Sequence, residues 1–324
     1  MISFIVEAVV VAASSWLFTG KYFGLRSFSE SVLTCFILFF GQIVLVELFL
    51  GSIGLLYFGN VFLMHLLVLI LAFSCCPRKI TPLFLKPDIG FFINSKLLIL
   101  AFSVFAAFFL VKGYINLVNP PFNTDSMFHH LAFPAAWIKS ASLTNPFLIF
   151  GSRPIPGSGL LDACMISYYP INAELFFAWL MMPLRNAFLA DMGQAPFYII
   201  GIIAVYAILR KYSLDRKIAL LSGFLLMLIP NIFKQLRSGS LVDVICAVLL
   251  LLVLNTLLKL KLDFTFRNAF LFGITAGLFV GTKVINLVWL AALFPLTSYI
   301  FYKGLKAEKF RPGKILGFAG IILS

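Results

Sequence analysis

Charge is what this chain has least of. Twelve acidic residues are spread over 324, Asp, Glu, Lys and Arg together make up 11%, and histidine occurs three times. A soluble domain carries roughly twice that charge, so a water-facing globule is excluded, and a charged disordered chain with it. Cysteine is also scarce: Cys35 and Cys246 sit inside apolar runs, Cys75 and Cys76 at the end of one, and Cys164 in a long polar stretch. Neither a disulfide framework nor zinc-ligand spacing can be built from that pattern. Low-complexity tracts, a soluble linker and internal repeats are missing too. The first apolar stretch, ISFIVEAVVVAASSWLF, has no cationic lead, carries Glu7 and is followed by no cleavage pattern, so it is a retained helix and not a secretion signal.

What remains is apolar. Hydrophobic residues make up 62% of the chain, 38 residues are Phe, and mean hydropathy is +1.05. Runs of about 17 to 25 such residues, enough to cross a hydrocarbon layer of roughly 30 Å, recur with short polar interruptions. The expected fold is all-α, a polytopic transmembrane protein with about nine or ten spans. They are placed near 2–18, 31–50, 55–74, 97–115, 195–210, 217–233, 241–258, 268–283 and 285–302. Residues 1–115 form an N-terminal helical part, 116–194 one large loop, and 195–324 a second helical part. The last residues, GKILGFAGIILS, begin a span too short to cross, and further helices are expected beyond them.

The net charge of +13 is explained by where the 25 Lys and Arg residues lie, without nucleic acid. Most fall in alternate loops: Lys21 and Arg26; Arg78, Lys79, Lys86 and Lys96; Arg210, Lys211, Arg216 and Lys217; Lys259, Lys261 and Arg267; and Lys303 to Lys314. Cations gather on the cytoplasmic side, beside anionic lipid, which puts 116–194 outside. Keeping that rule forbids a crossing by ELFFAWLMMPL, residues 174–184, which is short and flanked by Pro170 and Pro183. It is expected to be an interfacial or re-entrant helix.

The external loop opens with a polar island, NPPFNTDSMFHHLAFPAAWIKSASL, in which Asp125, His129 and His130 stand together. The same topology brings Lys112, Lys139, Arg153, Arg185, Lys234, Arg237 and Lys283 to that face, with Asp162, Glu174, Asp191 and Asp243. Charge at a membrane boundary is costly unless paired, hydrated or useful. A mixed rim of this kind suits a lipid phosphate.

Three segments of the chain resemble a known family. Asp125, Ser126, His130 and Leu131 form D-S-x-x-x-H-L with Trp137 six residues on; Tyr169, Pro170, Asn172, Glu174, Leu175 and Trp179 form Y-P-x-N-x-E-L-x-x-x-W; Gly281, Thr282 and Lys283 form G-T-K. This order is similar to bacterial family 39-type glycosyltransferases of the GT-C superfamily, which include mannosyl- and aminoarabinose transferases. Pro230, Gln235, Ser238 and Asp243 are similar more loosely. The likeness covers about residues 95–302, and departs from the family at His129, where an aromatic residue is commoner, and at Ala132, where Pro is common.

The resemblance implies an inverting membrane enzyme that transfers a sugar from a polyprenyl-phosphate carrier, on the external face of a bacterial inner membrane. Asp125 is then the base for the attacking hydroxyl. Lys283, Lys234, Arg237 and Arg153 are candidates to stabilise the departing phosphate, and His130 and Glu174 to bind substrate. Partners implied are the lipid-linked sugar and membrane lipids; no protein partner is indicated. Asp125 has no adjacent second acid that would favour a metal pair, so no metal ligands are assigned and metal dependence is left open.

Each residue also has a structural reading. Asp125 can cap the helix that follows it, Lys283 can snorkel from a helix end, and Trp137 and Trp179 read as interfacial anchors. Asp191, Asp162 and Arg185 read as solvated loop charges, and Glu7, Glu47 and His65 as helix contacts without a chemical role. Three other functions fit the same composition: a transporter or flippase of lipid-linked precursors, a noncatalytic relative of the same fold, and a different enzyme of lipid-linked sugars such as an O-antigen polymerase or ligase.

Overall fold

The computed structural model describes residues 2–23, 25, 27–74, 90–119, 121, 123–143, 169–235 and 240–307, and all regular structure among them is helical. Helix α1 (Ile2–Phe18) runs on into a π-helical turn, Thr19–Phe23, and is followed by α2 (Phe28–Ser52) and α3 (Phe58–Ser74). A short α4 (Gly90–Ile93) leads into α5 (Lys96–Val118). The loop region holds a π-helical turn at Ser126–His130, α6 (Ala132–Ser140), α7 (Asn172–Met181) and a 3-10 turn at Ala190–Met192. Then come α8 (Ala195–Lys211), α9 (Arg216–Met227), α10 (Pro230–Gln235), α11 (Asp243–Leu262), α12 (Phe266–Val280) and α13 (Asn286–Ala307).

Among the described residues, six stretches are long and apolar enough to cross a membrane: Ile2–Phe23, Phe28–Ser52, Lys96–Val118, Ala190–Lys211, Asp243–Leu262 and Asn286–Lys306. At about 1.5 Å per residue each spans roughly the 30 Å of a bilayer core, so the protein is an integral, helical membrane protein. Helices α3 and α12 are apolar but shorter. The span expected at 217–233 is not continuous. It breaks at Leu228 and Ile229, between α9 and α10, because Pro230 has no N–H to donate and disfavours helical backbone in the residue before it.

Helix starts follow local chemistry. The Asp215 carboxylate accepts from the backbone N–H groups of Lys217 and Ile218 at the head of α9, and Thr265 accepts from that of Asn268 at the head of α12. Packing centres on α8, which lies against α9, α11 and α2, while α12 flanks α11 and α1 pairs with α2 and α3. Gly223 lets α9 approach α8 closely: a Cβ there would stand 2.7 Å from the carbonyl oxygen of Ile202.

The short α7 is buried on every side, from Ala173 through Met181. It packs on α2 and α6. Phe176 meets Phe40 and Phe197, and Trp179 is wedged among Phe4, Phe39 and Phe176. It therefore enters the helix bundle, and the interfacial alternative is set aside. Trp179 and Trp137 are 2% and 3% exposed, so neither is the interfacial anchor expected from sequence. An amphipathic helix on the surface keeps a polar face; apart from Asn172 and Glu174 in its first turn, this one has none to keep.

The two ends of the bundle differ in charge. At one end Lys211 bonds Glu30 and, at 2.6 Å, Asn255; Lys259 lies 3.9 Å from Glu30; Lys21 donates to the carbonyls of Ala72 and Phe73; and Arg267 covers the ring of Tyr22. Members of three of the sequence's cation groups meet there. The opposite end carries the polar loop region.

Candidate functional site

The Ser126–His130 turn places the two histidines. Its π-helical bond, from Leu131 N–H to the Ser126 carbonyl at 2.8 Å, puts more residues into one turn than an α-helix does, so consecutive side chains diverge less. The rings of His129 and His130 consequently lie 4.5 Å apart with only 35° between their planes. Both face Glu174 in the first turn of α7. His130 Nδ1 is 2.6 Å from Glu174 Oε1, and His129 Nε2 is 3.9 Å from the same oxygen. Glu174 is 1% exposed, and its other oxygen, Oε2, is buried with no hydrogen-bond partner among the described residues. Phe133 stands edge-on to His129 and Phe177 to His130, so the wall beside them is aromatic.

The position of Glu174 is fixed from across the bundle. Asn172 donates its backbone N–H to the Gly281 carbonyl at 2.8 Å and its side-chain amide to the Leu278 carbonyl at 3.2 Å. Only glycine leaves room: a Cβ on residue 281 would lie 2.2 Å from Asn172 Nδ2. Two residues on, Lys283 donates to Asp243 Oδ1 at 2.6 Å, with both side chains about half exposed. Beneath them Asn286 donates to the Phe279 carbonyl at 2.6 Å and lies 3.5 Å from Cys246 Sγ.

Asp125 precedes the π-helical turn and is exposed. Its backbone is helical and its side chain caps nothing, which removes the capping reading; its backbone N–H donates to Asn123 Oδ1 at 2.9 Å. Its charge acts on both His129 and Lys283. Burial holds the His129 imidazole below its usual range, against the opposite pull of Glu174. For Lys283, burial works to lower the pKa, but the hydrogen bond and charge of Asp243 outweigh it, so the ammonium is held above its usual range. Lys283 is thus ion-paired and not a snorkelling side chain.

Of the residues expected at the site, Asp125, His130, Glu174 and Lys283 come together. Lys234 is exposed on α10, and no contact joins it to this group. Arg153 and Arg237 lie outside the described residues, as do Asp162, Cys75, Cys76 and Cys164. His129, ranked below His130 from sequence, also belongs to the cluster, at 3.9 Å from Glu174 against 2.6 Å for His130. Asp191, expected to be a solvated loop charge, is 3% exposed and accepts a hydrogen bond from Ser240. Arg185 is exposed, as expected.

Glu7, Glu47 and His65 are helix contacts, as expected, but their joining into one polar group went unrecognised. Glu7, Glu47 and His65 are fully buried among α1, α2 and α3, where Gln42 bridges Ser14 at 2.6 Å and His65 at 3.0 Å, and His65 lies 3.9 Å from Glu7. The signal was available: Glu7 and Ser14 are seven residues apart, on one face of α1.

No family model, curated protein or solved structure matches the chain.

Proposed function

We propose that the protein is a GT-C-type membrane glycosyltransferase that moves a sugar from a polyprenyl-phosphate carrier to a hydroxyl on a lipid, glycan or protein. The observation that carries this is the convergence of segments far apart in sequence: Asp125, the His130–Glu174 pair and the Gly281–Lys283 turn gather at the cation-poor end of the bundle. They are the same segments on which the resemblance rests. The proposal extends to nine or so crossings, with this end on the external side of a bacterial inner membrane.

The chemistry is a direct displacement. The acceptor oxygen bonds to the anomeric carbon as the carbon–oxygen bond to phosphate breaks, the lipid phosphate leaves with that electron pair, and configuration inverts. Asp125, exposed and free of a capping bond, takes the proton from the acceptor hydroxyl. Lys283 offers its charge to the departing phosphate. Its bond to Asp243 is half exposed, so exchanging that partner for a phosphate oxygen costs little. The Glu174–His130 pair holds an imidazole edge beside the sugar or phosphate.

The test is turnover of lipid-linked sugar by membranes containing Asp125→Asn, which keeps shape and removes the base. Transfer is expected to fall by about two to four orders of magnitude with insertion unchanged; near-normal turnover removes Asp125 from the mechanism.

One observation favours a transporter instead: the fully buried Glu7, Glu47 and His65 inside the helices, since ionisable groups at membrane depth often mark an ion path. Uphill substrate movement that fails in Glu47→Gln while sugar transfer is absent from the wild type would decide for it.

A further inference from the structure

The His130–Glu174 hydrogen bond accounts for only half of the carboxylate. Glu174 is buried to 1% exposure, one oxygen faces His130 at 2.6 Å and His129 at 3.9 Å, and the other has no partner among the described residues. Burying a carboxylate with one hydrogen bond and a vacant oxygen is costly unless a positive charge completes it. The lysine of the cluster, Lys283, has its ammonium held by Asp243.

We propose that His129, His130 and Glu174 form a binding site for a first-row divalent transition ion, zinc by preference. One ligand atom from each of the three residues can be chosen so that all lie within 4.8 Å of one another. Zinc bonds to imidazole nitrogen and carboxylate oxygen are about 2.0 to 2.2 Å, so tetrahedral ligand atoms stand roughly 3.3 to 3.5 Å apart. The separations of 2.6 and 3.9 Å between the two imidazole nitrogens and Glu174 Oε1 bracket that figure.

The donor set selects the ion. Two nitrogens and one oxygen suit zinc and its neighbours, whereas calcium and magnesium require oxygen shells. Three protein ligands leave a fourth position for water, the pattern of zinc sites that stay open to a ligand. The π-helical turn supplies what adjacent histidines on an ordinary α-helix lack, two rings aimed at one carboxylate. The edges of Phe133 and Phe177 border the rings and limit water there. The ion would take the place of the His130–Glu174 hydrogen bond, and because its binding is read without turnover the site stands if sugar transfer fails.

The experiment uses the full-length chain purified in detergent, stripped with chelator and titrated with Co(II), then with zinc in competition. One Co(II) per chain with the visible absorption of a four-coordinate ion, displaced by zinc, is expected. Glu174→Gln and His129→Asn should each weaken binding by about 100-fold or more. His129→Cys should retain the ion and add a thiolate-to-Co(II) charge-transfer band, which a purely structural His–Glu hydrogen bond cannot give. The proposal is overturned if the wild type binds no Co(II), if all variants bind with unchanged affinity and spectrum, or if the cysteine variant shows no new band. Should Glu174→Gln fail to fold, the half-buried position 129 still decides, because neither substitution there disturbs the packed core.

Discussion

At the scale of single residues, most of the site is built from side chains that a reader of the sequence would pick out, joined in ways that reader would not. Gly281 is the clearest case. Its φ of −71° is ordinary, so alanine is opposed there by space alone, the 2.2 Å approach to Asn172. Gly281→Ala should lower stability by about 1 to 3 kcal/mol, and Asn172→Ala in the same chain should restore part of the loss. Denaturation of the two single variants and the double variant in detergent checks this; strictly additive losses would show that the two residues do not press on each other. Asp125, His130, Glu174 and Lys283 were legible as isolated polar residues where charge is expensive. Their partners were not. Glu174 lies 44 residues from His130, and Asp243 lies 40 from Lys283, distances that only the fold closes. His129 was undervalued for a similar reason, because the π-helical turn that aligns it with His130 leaves no mark in SMFHH.

At the scale of elements, hydropathy located the helices well and said little about which face of each is buried. Lipid-facing and core-facing residues are both apolar in such a chain, so periodicity loses its contrast. The α7 segment illustrates this: its length and flanking prolines marked it as unable to span, yet nothing in NAELFFAWLM separates a helix lying on the membrane from one sunk among α2 and α6. The burial of α7 has a direct check. In a cysteine-free background, Ala178→Cys should stay unlabelled by a membrane-impermeant thiol reagent, while Phe128→Cys, at a residue 75% exposed, should react. Equal labelling of both would return α7 to the surface. The interruption at Pro230 was readable in principle, since proline in an expected span marks a break, but the apolar run LLSGFLLMLIP hid it.

For the whole molecule, the distribution of cations carries the most information, because lipid confines charge to the ends of helices. Lys21, Lys211, Lys259 and Arg267 do meet at one end, and the Asp125, Glu174 and Lys283 group lies at the other. Lys217→Cys and Met127→Cys should therefore react from opposite sides of a sealed vesicle; reaction from the same side would dissolve the two-ended arrangement and the assignment of an external site with it. The Glu7, Glu47 and His65 group sits between these ends, and its residues were read singly as helix contacts because they come from three different helices. The central claim is that the cation-poor end consumes a lipid-linked sugar through Asp125. Its most direct test is the lipid extract of cells lacking the gene, compared with the same cells given the wild-type or the Asp125→Asn chain. A polyprenyl-phosphate-linked sugar that accumulates without the gene, is cleared by the wild type and persists with Asp125→Asn is the predicted result; unchanged lipids throughout, or full clearance by Asp125→Asn, would contradict it.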